Sequence, residues 1–244
     1  MDLQAWQLPL AILGLVTALL LTAGLARRYQ EHLARQRALL RQLVFGAREL
    51  EQVLTDLEQV PLGAELRRAL RGDILENWRR AQAINPRDPA LGQALQAAEA
   101  RQSADGGATG GRVPAVNDAA HCQRLLRAID HLVTYLKRGG PVSGRDTERL
   151  AAWRRELRER RAEVLARHHV VAATRADREG RSGEALEHLQ YLLQQLQQRG
   201  PDTDFVRDLY AEAERLCQLA LQGRPLQEAA DEAEDQRSNR SSAA

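Results

Sequence analysis

The hydrophobic pattern of the chain begins with an unbroken apolar run, residues 8–26, LPLAILGLVTALLLTAGLA, which holds nineteen residues and no charge. A helix of about 20 apolar residues, rising about 1.5 Å per residue, crosses the roughly 30 Å hydrocarbon layer of a bilayer. After this run the chain is rich in charge, and its apolar residues recur at helical spacing. The pattern therefore predicts an all-α protein, with a single N-terminal transmembrane helix followed by helical hairpins or an irregular helical bundle.

A secretory signal peptide is the main alternative for the apolar run. Its start, residues 1–7, contains Asp2 and no lysine or arginine, whereas a signal peptide begins with basic residues. Thr22-Ala23-Gly24 offers a weak cleavage site, and a buried core helix is the third possibility. The length of the run favours the membrane anchor.

The charges that follow the run predict its direction. Residues 27–41 contain five arginines and one glutamate, and such cationic flanks stay on the cytoplasmic side. We therefore expect the N-terminus outside, the rest of the chain in the cytoplasm, and Trp6, Arg27, Arg28 and Tyr29 at the two membrane interfaces. Arg27 and Arg28 are expected to contact lipid headgroups.

The next segment, from Tyr29 to Val60, has the spacing of a long helix with a heptad repeat. One seam is Leu33, Leu40, Ala47 and Leu54, and the other is Gln36, Leu43, Leu50 and Leu57. Seven of these eight residues are apolar, which is typical of a coiled coil, and six leucines (Leu33, Leu40, Leu43, Leu50, Leu54 and Leu57) are the predicted packing or self-association residues. Leu39 and Val44 widen the stripe, so packing inside a bundle and a homodimeric coiled coil both stay open.

Turn and linker signals divide the chain into six parts. Pro61 and Gly63 end the first long helix, and residues 103–118, SADGGATGGRVPAVND, contain four glycines and one proline. The predicted parts are an external head at 1–7, the span at 8–26, a membrane-proximal helical unit at 27–102, a flexible linker at 103–118, a distal hairpin unit at 119–222 and a polar, largely disordered tail at 223–244.

Composition supports helices and excludes a nucleic-acid partner. Apolar residues make up 43% and aromatic residues 4%, so leucine and alanine must build the core. The formal net charge of +2 provides no global basic field for nucleic acid. Cys122 and Cys217 belong to no CxxC pair, so the sequence predicts two buried free thiols in a reducing compartment.

Catalytic, cofactor and metal signatures are missing from the sequence. No phosphate-binding loop, GxGxxG, GxSxG or HExxH motif occurs, so we expect a protein that is not an enzyme and holds no cofactor or metal. His168 and His169 are adjacent and point about 100° apart on a helix, which favours packing over chelation. The RRELRERR run at 154–161 alternates bases and acids, which predicts a solvated, self-paired face.

Two stretches resemble tetratricopeptide repeats. Trp78, Ala81 and Pro86 match the close of that motif, with Ile74 where the repeat has a small residue. Ala185 and Leu189, in the stretch 168–222, fit a second hairpin. The resemblance implies work in assembling or organising a complex, and it transfers no residue-level site.

The sequence thus favours a non-catalytic scaffold or adaptor in a bacterial inner membrane, with membrane lipid and one or more proteins as partners. A second hypothesis is a self-associating rod, which is similar in layout to bacterial septation-ring regulators and would form homodimers. A third is an accessory subunit of a larger membrane complex that binds through its span.

Overall fold

The computed structural model describes residues 3–103, 111–140 and 146–226, with side chains from residue 27 onward. This part of the chain contains seven α-helices and no strand, which confirms the all-α prediction. The helices are α1 Leu3–Asp56, α2 Ala64–Ile84, α3 Pro89–Ser103, α4 Ala119–Lys137, α5 Thr147–Arg178, α6 Ser182–Arg199 and α7 Asp204–Leu221.

Side-chain caps and special turns set several helix ends. Asp118 caps α4 by accepting from the backbone N–H groups of Ala120 and His121, each at 3.1 Å, and these bonds lower the pKa of its carboxyl group. Asp146 caps α5 in the same way. Helix α5 ends beside Gly180, whose φ of +73° is a conformation that glycine adopts without strain.

Helix α1 ends at Asp56, four residues before the predicted limit at Val60. Residues 57–60 form a turn in which the Val60 N–H donates to the Leu57 carbonyl at 3.0 Å. Pro61 disfavours helical geometry in the residue before it, so the chain leaves the helix early.

The helices form two groups, one built on α2 and the other on the long helix α5, and α4 joins them. Helix α1 packs on α2 and α4, α2 on α3, α4 on α5, and α6 and α7 on each other and on α5. The largest apolar cluster joins α1, α2, α4 and the first half of α5 through residues that include Leu57, Leu66, Trp78, Ile129 and Leu157. The second half of α5 packs with α6 and α7 in two smaller clusters.

The predicted linker differs from the structure over its second half. Residues 104–110 lie outside the described residues, but Val113 and Val116 are each only 1% exposed and belong to the largest apolar cluster. The glycine content of this segment predicts a flexible linker, but its two valines, three residues apart, supply apolar surface that packs in the core. The predicted units at 27–102 and 119–222 therefore share one core through this segment.

The first residues of the predicted polar tail also pack against the body. Leu226 is 1% exposed, and its N–H donates to Asp177 Oδ2 at 3.0 Å. Residues 227–244 lie outside the described residues. Cys122 and Cys217 are free and buried, as the sequence predicts.

No helix within the described residues is both long enough and apolar enough to cross a membrane. The side chains of the predicted span at 8–26 and of Trp6 lie outside the described part, so the anchor stays a prediction.

Candidate functional site

A groove of about 740 Å³ opens between α1, α2 and α3. Helices α1 and α3 both pack on α2, and the groove lies where these three helices meet the α1–α2 turn. Its lining comprises Arg48, Glu51, Gln52, Leu54, Thr55, Leu57, Glu58, Leu62, Arg67, Arg71, Ile74, Ala98 and Arg101. We call this feature the α1–α2–α3 groove.

A contact with α5 lies next to the groove. Glu156 on α5 accepts a hydrogen bond from the N–H of Gly63, the residue that precedes α2. This carboxylate lies at the positive end of the α2 dipole, where a negative charge is stabilising. The contact holds the α1–α2 turn, including the groove residue Leu62, against the body of the protein.

Some charged side chains of the groove are paired with another side chain, and others are not. Glu51 accepts from Arg101 Nη1 at 2.7 Å and from the Trp78 indole N–H at 3.2 Å. Among the described residues, the side chains of Arg48 and Arg67 form no ion pair or hydrogen bond. Within the described part of the chain, the groove therefore presents two unpaired guanidinium groups and, at the α1–α2 turn, the unpaired carboxylate of Glu58 beside an apolar floor.

The floor of the groove is built from side chains of all three helices and the turn: Leu54, Leu57, Leu62, Ile74 and Ala98. The lining contains no histidine or cysteine, and of its two carboxylates Glu51 is bonded and Glu58 is exposed. This set offers apolar contact and cationic hydrogen-bond donors.

A second polar cluster joins α5 and α6. The Nδ1 atoms of His169 and His188 lie 3.3 Å apart, and the Tyr191 ring lies 5.0 Å from that of His169. Burial lowers the pKa of His169 to about 4, with further lowering from the charges of His168 and His188. The neighbouring His168 turns the other way, and its Nδ1 atom lies 3.1 Å from the Val116 carbonyl oxygen.

The sequence does not reveal the His169–His188 contact because its residues lie 19 positions apart, on different helices. Within the described part, no group of three or more histidine, cysteine or acidic side chains is arranged to hold a metal ion.

Residues of the predicted heptad seam have two different environments. Leu50 and Leu57 are buried in the core, and Leu54 lines the groove. Leu33, Leu40 and Leu43, nearer the N-terminus, are only partly buried. The same stretch of α1 carries three exposed large residues, namely Tyr29 at 65%, Leu39 at 49% and Phe45 at 67% exposed.

The tetratricopeptide-like positions occupy packing sites rather than groove sites. Trp78 and Ala81 are buried in α2, Ala185 and Leu189 are buried in α6, and Pro86 is exposed in the α2–α3 turn. These positions show tight helix packing, and the resemblance stays a prediction.

Near the predicted membrane interface, Arg27 and Arg28 are exposed, and Arg27 pairs with Glu31 at 3.2 Å.

The arginine run on α5 is paired within and between helices. Arg160 bonds Glu163 on the same helix at 2.7 Å, and Arg161 bonds Asp130 on α4 at 3.1 Å. Part of this predicted solvated face therefore attaches α5 to its neighbours.

Comparisons with protein-family models, with curated proteins and with solved structures find no match for this chain.

Proposed function

We propose that this chain is a membrane-anchored, non-catalytic adaptor that binds an acidic segment of a partner protein in the α1–α2–α3 groove. The observation that carries this proposal is the pair of unpaired guanidinium groups, Arg48 and Arg67, beside an apolar floor. The anchor is residues 8–26, and we place it in a bacterial inner membrane with the helical body in the cytoplasm.

The lining favours a protein segment over a nucleic acid. Guanidinium groups form strong, directed hydrogen bonds with carboxylates, and apolar side chains of a peptide can cover the floor. Two unpaired guanidinium groups are few for the repeated phosphate contacts by which a protein holds a nucleic-acid backbone. The net charge of +2 also provides little long-range attraction for nucleic acid.

Lipid headgroups are poor candidates for the groove because of its distance from the proposed anchor. Ala26 and Arg48 are separated by 22 positions on α1, which corresponds to about 33 Å along the helix axis. The exposed Arg27 and Arg28 lie where headgroups are expected. An anchor of this kind would hold the groove in the cytoplasm near the membrane and raise the local concentration of a membrane-associated partner.

A self-associating rod is the second candidate function, and the exposed stretch of α1 favours it. Tyr29 and Leu39 are exposed by 65% and 49%, while Leu33 and Leu40 are partly buried. Leu33 and Leu40 follow the heptad spacing that would pair two copies in a coiled coil. In this case the apolar stripe, and not the groove, would form the interface.

The test is co-purification of the full chain from mildly cross-linked membranes, compared with a groove-blocked variant. Thr55 is exposed and lines the groove, so Thr55→Trp fills the groove without entering the core. Gln42→Trp places the same ring at an exposed α1 position outside the groove. We expect a partner with the native chain and with Gln42→Trp, and its loss with Thr55→Trp.

Replacing residues 8–26 with an unrelated membrane span separates the adaptor from an accessory subunit. An adaptor keeps its partner after this exchange, because the groove is unchanged. Loss of the partner after the exchange, with Thr55→Trp having no effect, would establish the span as the binding element. Recovery of homodimers alone, which Thr55→Trp does not disrupt, would favour the rod.

A further inference from the structure

The chain itself contains a segment with the chemistry that the groove requires. Residues 228–235, EAADEAED, include five acidic residues among eight and no basic residue. The other three are alanines, which are small enough to approach a groove floor. The groove meets this segment with Arg48 and Arg67, which have no partner in the described part of the chain.

We infer that residues 228–235 of one copy bind in the α1–α2–α3 groove of a second copy. This inference rests on the proposed function, because it takes the groove to be a docking site for acidic segments. The carboxylates pair with Arg48 and Arg67, and the alanines contact the floor near Leu54 and Ile74.

Geometry explains why the segment binds a second copy instead of its own groove. Leu226 is fixed beside Asp177, near the C-terminal end of α5, whereas Glu156, which bonds Gly63 next to the groove residue Leu62, lies nearer the N-terminal end of α5. Asp177 and Glu156 are 21 positions apart, which is about 31 Å along α5. A fully extended chain that starts at Leu226 spans about 31 Å only at Asp235, nine residues later, which is the last residue of the segment.

Charge complementarity also makes this contact dependent on salt. The arginines lie in an open groove, so the ionic contacts are partly screened at physiological ionic strength. Neighbouring copies in one membrane would meet at high local concentration, which compensates for modest affinity.

The experiment measures binding of a fluorescent synthetic peptide, residues 227–236, to the purified full chain in detergent by fluorescence anisotropy. The probe control is the same peptide with every Asp and Glu changed to Asn and Gln. The receptor variants are Arg48→Gln/Arg67→Gln in the groove and Arg155→Gln/Arg158→Gln, which removes two exposed arginines of α5. We expect about tenfold weaker binding with the groove variant, no change with the α5 variant and no binding of the neutral peptide.

A second measurement uses the full chain without added peptide. Neutralising the five acidic residues of 228–235 should lower the yield of intermolecular cross-links to the level of Arg48→Gln/Arg67→Gln. Equal cross-linking by the native and neutralised chains overturns the inference, as does equal peptide binding by the two receptor variants. If a foreign partner still requires an open groove in the Thr55→Trp test, the proposed function stands while this inference fails.

Discussion

The Nδ1 atoms of His169 and His188 lie 3.3 Å apart across the α5–α6 interface. Their ring centroids are 5.5 Å apart, so the two nitrogens point towards each other. One imidazole donates its Nδ1 proton to the other, which accepts as a neutral ring, because two nitrogens without a proton would repel. Charging both rings removes the acceptor, so this contact between α5 and α6 requires at least one neutral histidine.

Acid should therefore destabilise the protein through His169. Its pKa is about 4 in the folded state and about 6.5 when unfolded, so the unfolded chain takes up the proton first. The contribution of neutral His169 to the free energy of unfolding is complete above a pH of about 6.5 and is lost as the pH falls towards about 4. Because solvent reaches part of the ring, the loss is less than about 1.4 kcal/mol per pH unit.

Thermal unfolding at pH 7 and pH 5 tests this relationship. His169→Gln removes the titrating group, so its unfolding temperature should fall less between these two conditions than that of the native chain. His32→Gln, at an exposed position on α1, should behave as the native chain does. An unchanged acid response in His169→Gln would contradict the assignment.

Removing the carboxylate of Glu163 should loosen the segment that carries Val113 and Val116. Glu163 is 2% exposed and accepts from the Val113 N–H at 3.0 Å and from Arg160 at 2.7 Å. Glu163→Ala leaves a buried N–H and an arginine without this acceptor, and we expect a loss of about 3 kcal/mol in unfolding free energy.

Hydrogen exchange at the Val113 amide measures how far Glu163→Ala loosens this segment. The amide should exchange faster in Glu163→Ala than the amides of α6 in the same sample. Glu187→Ala, an exposed change on α6, serves as the control and should leave Val113 protected. Equal protection of Val113 in both variants would show that Glu163 does not hold this segment.

Tyr135→Phe should weaken the contact between α4 and α2. The Tyr135 hydroxyl donates to Asp73 Oδ2. Burial is the larger cause that raises the pKa of this hydroxyl, and the Asp73 carboxylate raises it further. The change removes a hydrogen bond to a charged group, and we expect a loss of about 1–2 kcal/mol in urea unfolding. Tyr210→Phe, on α7, should stay within about 0.5 kcal/mol of the native chain, and equal losses in both variants would refute a specific role for Tyr135.

The two cysteines should react slowly with thiol reagents in the folded protein. Cys122 and Cys217 are 3% and 8% exposed, and burial raises the pKa of each thiol, which lowers its thiolate fraction. Both should react fully in denaturant, and no disulfide should appear without reducing agent. Fast labelling of either thiol under native conditions would contradict its buried position.

Helix content and most turns were predictable because apolar spacing and capping residues are local signals. Asp118 and Asp146 illustrate this, since each caps a helix within three residues of itself. The burial of Val113 was not predictable, because it depends on Glu163, which lies 50 positions later in the chain. Glycine-rich composition therefore predicts the loop without revealing which of its residues pack.

The groove was less accessible to sequence reasoning than the helices that form it. Arg48, Arg67 and Arg101 lie on three separate helices, and no sequence spacing relates them. The heptad pattern identified Leu54 and Leu57 as packing residues, but the floor they form depends on where α2 and α3 lie. Only the assembled helices show which arginines meet at one surface.

Site-specific photo-cross-linking in membranes tests the central claim, that the α1–α2–α3 groove holds a protein segment. A small aliphatic diazirine amino acid, which does not fill the groove as a Trp ring would, is placed at position 55 inside the groove or at position 42 outside it, in the full chain. We expect a protein adduct at position 55 that Arg48→Gln/Arg67→Gln reduces, with little adduct at position 42. Equal adduct yields at both positions, or none at position 55, would contradict the claim.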